Sequence, residues 1–277
     1  MGKIGLTAII PIRRMDESTR KLKGVVVRAL ECGIEVVVVV DSQDSSERIR
    51  TMNLFSSVDY SSFRIVESLE ESPGEARNVG MVLSERQYVT FWDADDIPAI
   101  TEVVEMLLRL SAEPKKKYGI GSFEIIEPMS TNVLSRQVLT EKGDSLVKIF
   151  DNPGIWRWIF LKENIQETKF QKFRMGEDQD FIADLNPKLD EMIFSNLVTY
   201  RYVKGWSNQL TNNQVAVNDL IKSIQYLAEK VLNDEANVWH RKFLRRQILT
   251  AVKRGSVKVK FQAILFSMRI ARNYVKK

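Results

Sequence analysis

Short apolar runs alternate with helix-forming segments through the first hundred residues of the chain. The run IEVVVVV at 34–40 is the strongest, because uninterrupted β-branched residues are typical of a parallel strand covered on both faces. Helical spacing occurs at 17–32 and 75–86, and Gly33 is suited to end the first of these helices. Further strands are predicted at 6–12, 64–67 and 87–92. The alternation predicts an α/β fold, with an open, mostly parallel sheet and helices on both faces.

The remainder of the chain is predicted to extend the sheet and then to become helical. Beyond a helix from Pro98 to about Leu110, the predicted strands are 118–126, 133–139, 156–161 and 192–203. A short helix is predicted between them at 177–185, and the C-terminal helices are 218–232, 236–252 and 257–275. We therefore divide the chain into a main domain at 1–211 and a helical C-terminal appendage at 212–277.

The charges divide the chain in a similar way. Twelve of the 41 Lys and Arg residues, and none of the 36 Asp and Glu residues, lie in 241–277. Residues 1–240 therefore hold 29 basic against 36 acidic residues, a net charge of −7, although the whole chain carries +5. A basic tail on an acidic body suggests an anionic partner for the tail.

Cysteine and histidine are scarce, which limits the chemistry. Cys32 has no second cysteine to pair with, and its apolar surroundings favour a buried residue. With His240 as the one histidine, His-rich zinc sites and Ser-His-Asp catalysis are excluded, so any metal must be held mainly by oxygen ligands. No stretch reaches the roughly 18 uninterrupted apolar residues of a membrane-spanning helix. We therefore expect a cytoplasmic protein.

Carboxylates cluster directly after the strand predicted at 87–92. Asp93, Asp95 and Asp96 repel one another unless a cation or a structured loop compensates their charge. Asp41 ends a neighbouring strand, and ligands of open parallel sheets bind at the carboxyl ends of the strands. Carboxylate oxygens in this position suit Mg²⁺ or Mn²⁺, either of which can bridge a diphosphate. A capping or turn role is the alternative.

Two other segments supply further candidate groups. Gly74 opens a helix whose free backbone N–H groups favour an anion, and Arg77 lies one turn in, where it can contact a nucleotide. Glu177 and Asp178 begin the helix at 177–185, where acidic residues can simply complement the helix dipole. A transferase that activates a hydroxyl needs a positioned base, however, and with one histidine in the chain a carboxylate is the natural choice.

In their order and spacing, these segments resemble glycosyltransferase family 2. The resemblance extends from about residue 6 to residue 180 and is carried by TAIIPI, VVVVVDSQD, GEARNVGM, YVTFWDADDIP and GEDQDF. It implies the GT-A fold, with a nucleotide-sugar-binding part at 1–96 and an acceptor-binding part at 97–211. It also implies an enzyme similar to the glycosyltransferases of bacterial surface polysaccharides, acting in polysaccharide or glycolipid synthesis.

The resemblance implies a role for each donor-side residue. Pro11 would mark the loop that lines the nucleotide site, and Asp41 would accept a hydrogen bond from the donor base, which is usually uracil in this family. Arg77 would contact the nucleotide, and Asp93 would lie near the ribose. Asp95 would bind the Mn²⁺ or Mg²⁺ ion that bridges the diphosphate.

On the acceptor side, the resemblance implies that Asp178 is the catalytic base, with Glu177 orienting the acceptor or the base. The reaction would be one in-line displacement, which inverts the anomeric centre. The QxxRW element of processive members does not follow Asp180, so we expect one sugar to be transferred per acceptor. Two alternatives remain: a sugar nucleotidyltransferase, although the loop after the first strand lacks glycine, and a non-catalytic GT-A-like scaffold.

Two tryptophans lie close to this site in the sequence. Trp156 and Trp158 fall on the strand predicted shortly before the Glu-Asp pair. Aromatic faces stack against sugar rings, so the pair could form an acceptor platform. Core packing of at least one of them is the alternative.

The last two predicted helices interleave apolar and basic residues. Such helices are typical of membrane-surface elements, where each Lys or Arg contributes on the order of 1 kcal/mol near an anionic leaflet. We therefore predict that the tail binds the inner face of the cell membrane, with packing on the main domain as the alternative. Nucleic acid is not expected, since no binding motif supports it. The apolar stripes are Phe243, Leu244, Ile248, Leu249 and Val252, then Phe261, Ile264, Leu265 and Met268.

Overall fold

A nine-stranded sheet organises the part of the chain that the computed structural model describes, which is residues 5–41, 44–69, 72–130, 132–140, 144–206, 209 and 214–275. The strand order is β3-β2-β1-β4-β8-β6-β9-β5, with β7 paired to β6. The strands are β1 (Leu6–Ile12), β2 (Glu35–Asp41), β3 (Phe63–Ser68), β4 (Tyr88–Phe91), β5 (Ile97–Pro98), β6 (Tyr118–Ile126), β7 (Val133–Gln137), β8 (Trp158–Leu161) and β9 (Met192–Val203).

The α-helices lie on both faces of this sheet, and the last three of them follow its final strand in the sequence. They are α1 (Leu22–Glu31), α2 (Ser45–Phe55), α3 (Pro73–Leu83), α4 (Ile100–Ser111), α5 (Asp144–Asp151), α6 (Glu177–Leu185), α7 (Gln214–Leu232), α8 (Val238–Arg254) and α9 (Val257–Val275). Of these helices, α2 had no predicted range and α5 was not predicted from the sequence. In the described part of the chain, no helix combines the length and the apolar character that crossing a membrane requires.

The first four strands in sequence form the parallel half of the sheet. β1 pairs with β2 and β4, and β2 pairs with β3, all in parallel. Successive residues of these strands enter opposite cores: Ile9 and Val37 enter one, and Ile10 and Val38 enter the other. Because both faces are covered, the strands are continuously apolar rather than alternating. The predicted α/β sheet with helices on both faces is confirmed.

The second half of the sheet is mixed. β8 runs antiparallel to both β4 and β6, whereas β6 and β9 are parallel. The strand predicted at 156–161 begins only at Trp158, because the three residues before it form a 3-10 turn, Ile155–Arg157. This difference in backbone path separates the environments of the two tryptophans.

The helices α7 and α8 share a hydrophobic core with the sheet. Leu220 and Ile224 of α7 and Phe243 of α8 belong to the same buried cluster as Phe160 and Phe181. Much of the apolar stripe of α8 therefore packs on the main domain, which was the alternative to membrane binding. The domain boundary predicted at 211–212 lies outside the described residues.

The last helix, α9, divides its apolar residues between the core and the solvent. Val259 and Ala263 are buried against the core cluster. The predicted stripe instead faces outward, with Phe261 63% exposed, Leu265 47% exposed and Met268 49% exposed. The two stripes in the tail thus have different environments: much of the first is packed, and the second is open.

Candidate active site

A large cleft of about 1340 Å³ opens at the carboxyl ends of β1, β2 and β4. The N-terminus of α6 and side chains from α8 form the opposing wall. Eight of the nine predicted site residues line this cleft: Pro11, Asp41, Arg77, Asp93, Asp95, Trp156, Glu177 and Asp178. The edge of the parallel sheet and the Glu-Asp pair therefore meet at the same cleft.

Arg77 connects the two acidic clusters. Its Nη1 donates to Glu177 Oε1 and its Nη2 to Asp93 Oδ1, both at 2.9 Å. Burial disfavours the charge of Arg77, which is 5% exposed, but the attraction of Asp93 and Glu177 prevails and raises its pKa. The sequence predicts a nucleotide contact for Arg77; its contacts in the structure are those of a group that positions two carboxylates.

The start of α3 fixes the position of Arg77. Ser72 caps the helix by accepting a hydrogen bond from the Glu75 N–H, and Pro73 occupies the first turn. Gly74 allows close packing here, since a Cβ at that position would lie 2.8 Å from the Gln171 carbonyl oxygen. The cap and the proline leave fewer free N–H groups for an anion at this helix start than the sequence suggests.

The acidic segment after β4 separates into residues with different environments. Asp96 is buried, and its Oδ1 accepts a hydrogen bond from the Val203 N–H at 2.7 Å. Burial, reinforced by Asp95, holds the pKa of Asp96 well above its ordinary value. The Asp93 N–H donates to the Tyr200 hydroxyl at 3.0 Å. Asp96 and Tyr200 therefore connect this segment to β9, while Asp93 and Asp95 remain at the cleft.

Asp95 has the properties of a group that a cation would stabilise. Burial and then the neighbouring charge of Asp93 raise its pKa to about 6. Within the described residues, no group of three or more His, Cys, Asp or Glu side chains could hold a metal ion by itself. Mg²⁺ commonly takes one or two carboxylates and completes its shell with substrate phosphates and water. Asp95, with Asp93 beside it, fits that kind of site.

The Glu-Asp pair lies at the start of α6, where Gly176 adopts φ +97°. This left-handed conformation favours glycine, and a Cβ there would lie 2.8 Å from Ser223 Oγ on α7. Burial raises the pKa of Glu177 to about 7, against the attraction of Arg77. Burial likewise raises the pKa of Asp178 above its ordinary value. Both carboxyl groups therefore hold a proton more tightly than exposed ones do.

A buried polar network attaches α6 to the C-terminal helices. Ser223 of α7 contacts both oxygens of Asp180, at 2.7 and 2.6 Å, and Gln247 Nε2 of α8 lies 3.3 Å from Asp180 Oδ1. Burial raises the pKa of Asp180 well above its ordinary value, since the carboxyl group is fully enclosed. The helices predicted as an appendage therefore help to orient the Glu-Asp pair.

The two tryptophans have different positions. Trp156 lines the cleft and stacks on Tyr200, with ring centroids 4.5 Å apart. Trp158 is fully buried and stacks on Phe160, so the structure contradicts an acceptor-platform role for it, and the core-packing alternative holds. The cause is the 3-10 turn before β8, which gives the two side chains different directions.

Several residues of the site were missed in the sequence. Tyr200, Ser223 and Gln247 act through hydrogen bonds, and no local pattern distinguishes them from ordinary residues of their elements. Arg246 of α8 also lines the cleft. It belonged to the basic residues assigned to the tail, and only tertiary packing could reveal that it reaches the site.

Comparison with known structures identifies the fold. The chain resembles TarS of S. aureus, solved with UDP-GlcNAc, at a TM-score of 0.68 and 15% identity over 97% of this chain and 81% of that one. It also resembles the mannosyltransferase PcManGT of Pyrobaculum calidifontis, in complex with GDP-Man and Mn²⁺, at a TM-score of 0.58 and 12% identity, over 96% and 79% of the two chains. The predicted GT-A fold is confirmed.

Comparison of sequences supports the same resemblance. The chain is 27% identical to glycosyltransferase GlyA of Streptococcus pneumoniae serotype 4 over 260 aligned residues, which cover 82% of this chain. It spans 36% of the length of that relative. No protein-family model matches the chain. The chain is thus similar to glycosyltransferases in both sequence and fold.

Proposed function

We propose that this chain is an inverting, metal-dependent glycosyltransferase, which moves one sugar at a time from a nucleotide sugar to an acceptor hydroxyl. The observation that carries the proposal is Arg77, whose guanidinium joins Asp93 at the strand end to Glu177 beside the candidate base. A donor held at the strand ends would lie within reach of Asp178 across the same cleft.

The donor is best matched by a nucleoside diphosphate sugar, and we favour UDP as the nucleotide. The TarS neighbour is solved with UDP-GlcNAc, and the mannosyltransferase neighbour with GDP-Man and Mn²⁺. In this chain Pro11 and Asp41 would line the nucleotide side, and Asp93 would lie near the ribose. Mn²⁺ or Mg²⁺ would be held by Asp95, and it would neutralise charge on the diphosphate.

The chemical step is a single displacement at the anomeric carbon. Asp178 accepts the proton of the acceptor hydroxyl as the hydroxyl oxygen bonds to that carbon. The bond from the carbon to the diphosphate oxygen breaks, and its electron pair leaves with the nucleoside diphosphate. Because attack and departure occur on opposite faces, the anomeric configuration inverts. The raised pKa of Asp178 suits a base, since a more basic carboxylate accepts the proton more readily.

The role of the base is tested by Asp178→Asn, which keeps the shape and removes the basic oxygen. We expect the release of nucleoside diphosphate from the donor sugar to fall by at least about 100-fold, as general-base loss predicts, with nucleotide affinity nearly unchanged. Asp184→Asn is the matched control, since Asp184 follows on the same helix but bonds Tyr226 and His240. Equal loss of activity and affinity in Asp178→Asn would exclude Asp178 as the base.

The same assay separates the two rival functions. A sugar nucleotidyltransferase would release pyrophosphate from a nucleoside triphosphate in the presence of a sugar phosphate. A non-catalytic scaffold would bind the nucleotide sugar without metal-dependent turnover. Metal-dependent release of a nucleoside diphosphate from a nucleotide sugar, lost in Asp95→Ala, favours transfer over both.

We further propose that α9 binds the inner, anionic face of the cell membrane, so that the enzyme is peripheral and its acceptor is part of a polysaccharide or glycolipid. The support is the open apolar stripe of α9 around Phe261 and Leu265, with Lys258, Lys260 and Arg269 on the same helix. Cations beside an exposed apolar stripe complement an anionic lipid surface.

Point changes test this surface better than removal of the tail, because α8 contributes core residues such as Phe243. In the double variant Phe261→Glu with Leu265→Glu, binding to vesicles of phosphatidylcholine and phosphatidylglycerol should fall at least tenfold, since each buried side chain contributes about 1.5–3 kcal/mol. Leu108→Glu on α4, a residue 59% exposed, is the control. Unchanged co-sedimentation of the double variant would contradict the membrane proposal.

A further inference from the structure

Basic side chains concentrate on the wall of the cleft that faces the strand ends. Four of the cleft-lining residues between 144 and 254 are cationic: Arg174, Lys204, Arg246 and Arg254. The acidic residues of that wall are Glu177 and Asp178, and Glu177 already pairs with Arg77. The strand-end wall has the opposite balance, since its five acidic residues outnumber its three arginines. The acidic residues are Asp41, Asp44, Glu47, Asp93 and Asp95, and the arginines are Arg13, Arg14 and Arg77. The acceptor side of the cleft is therefore electropositive relative to the donor side.

Arg246 is held in this wall by hydrogen bonds to the main chain. It lies on α8 between core residues, and its Nη1 donates to the carbonyl oxygens of Phe150 and Asp151 at the end of α5. In the described part of the chain, Nη2 and Nε of Arg246 have no hydrogen-bond partner, although the side chain lines the cleft. The bonds to α5 hold the guanidinium in place and leave donors available for a ligand.

Arg246 also lies on the same cleft as the candidate base, close enough to be influenced by its charge. Asp178 and Arg246 attract one another electrostatically and line the same cleft, but they form no direct ion pair, unlike Arg77 and Glu177. A cation that only neutralised Asp178 would be expected to contact it. Both side chains instead line the open cleft, where an acceptor can contact them.

We propose that Arg246 binds an anionic group of the acceptor, a phosphate or a carboxylate, and so places a nearby hydroxyl against Asp178. The planar guanidinium can donate two parallel hydrogen bonds to the oxygens of either group, in a bidentate contact. The proposal rests on the glycosyltransferase function given above, and it defines the acceptor as a hydroxyl compound that carries a negative charge. It also makes α8, predicted as part of an appendage, a wall of the acceptor site.

Small probes test the site directly, on the full chain with and without saturating UDP and Mg²⁺. Glucose 6-phosphate and glucuronate should bind in both conditions, as measured by saturation-transfer NMR, whereas glucose should bind weakly or not at all. Because a charge-assisted contact is lost, the affinity of Arg246→Ala for the anionic probes should be at least about tenfold lower. Arg246→Lys, which keeps the charge without the planar fork, should be intermediate, and Arg245→Ala on the exposed side of α8 should match the wild type.

The outcomes distinguish this proposal from the proposed function. Failure of UDP to bind would count against the transferase, while Arg246-dependent binding of the anions would still support the anion site. Anion binding that persists in Arg246→Ala, or that UDP abolishes, would overturn the proposal, as would equal binding of glucose. Vesicles of phosphatidylglycerol identify the source of the anion: Arg246-dependent binding to them indicates a lipid phosphate, and binding of the soluble probes alone indicates a soluble acceptor.

Discussion

Replacement of Arg77 by methionine removes the central cation of the site while keeping an apolar stem of similar length. Its two carboxylate partners are not equivalent, because the side chain of Glu177 is 9% exposed and that of Asp93 is 30% exposed. Breaking a buried ion pair costs about 3–5 kcal/mol, because one charge is left buried without compensation. The more exposed Asp93 adds little to this loss. We therefore expect Arg77→Met to lower the free energy of unfolding by about 3–5 kcal/mol at pH 8.

The loss should depend on pH in a definite direction. The pKa of Glu177 is already raised to about 7 in the folded protein, and removal of Arg77 raises it further. A carboxyl group whose folded pKa exceeds its unfolded value binds protons more tightly when folded, so its contribution to stability falls as pH rises through the folded pKa. At pH 5 Glu177 is protonated and needs no counter-charge. The deficit of Arg77→Met should therefore be smaller at pH 5 than at pH 8.

Urea unfolding followed by circular dichroism at both pH values measures this difference. Arg109→Met is the control, because Arg109 pairs with Glu105 on an exposed face where both side chains are 48% accessible. Such exposed pairs contribute about 0–1 kcal/mol, and less at high salt. A loss below about 1 kcal/mol for Arg77→Met at pH 8, or an equal loss at both pH values, would refute the assignment of Arg77 as the compensating charge.

Three further changes test other parts of the site. Burial raises the pKa of Asp178, so acidification should lower the transfer rate at a higher pH than an ordinary aspartate would give. If kcat, measured against pH, fell only near the pKa of an ordinary aspartate, this expectation would be contradicted. Gly176→Ala should destabilise the protein by about 1–3 kcal/mol in thermal unfolding, because the backbone is left-handed there and Ser223 is close. The control is Gly24→Ala in α1, where an added Cβ would have nothing within 4 Å, and this variant should be neutral or stabilising. Asp95→Asn should abolish the increase in UDP affinity on adding Mn²⁺, measured by calorimetry, and a retained increase would place the ion elsewhere.

The donor side of the cleft was accessible from the sequence because each of its parts has a local signal. The valine run of β2 predicts a strand buried on both faces, and Asp41 follows from its position at the end of that strand. The same reasoning places Asp93 and Asp95 after β4. Since parallel strands expose their carboxyl ends at one edge, local strand assignments were sufficient to bring these residues together.

The acceptor side depends on contacts that local patterns do not encode. Arg246 and Phe243 lie three residues apart on one basic amphipathic helix, yet one lines the cleft and the other is fully buried. Helical periodicity gives the apolar face of α8 but not the element against which it packs. Trp156 lies in a 3-10 turn and Trp158 begins the strand after it, whereas the apolar sequence around them predicted one continuous strand. The described residues also include α5, whose carbonyl oxygens hold Arg246 and which the pattern did not predict.

A calorimetric comparison of nucleoside diphosphates and their sugars, with and without Mn²⁺, tests the central claim most directly. A nucleotide sugar held at the strand ends by Asp95 and a metal ion should bind measurably, and one nucleotide, expected to be UDP, should bind more tightly when Mn²⁺ is present. If none of the nucleotides binds to a protein shown to be folded, the cleft is not a donor site, and the glycosyltransferase proposal is wrong.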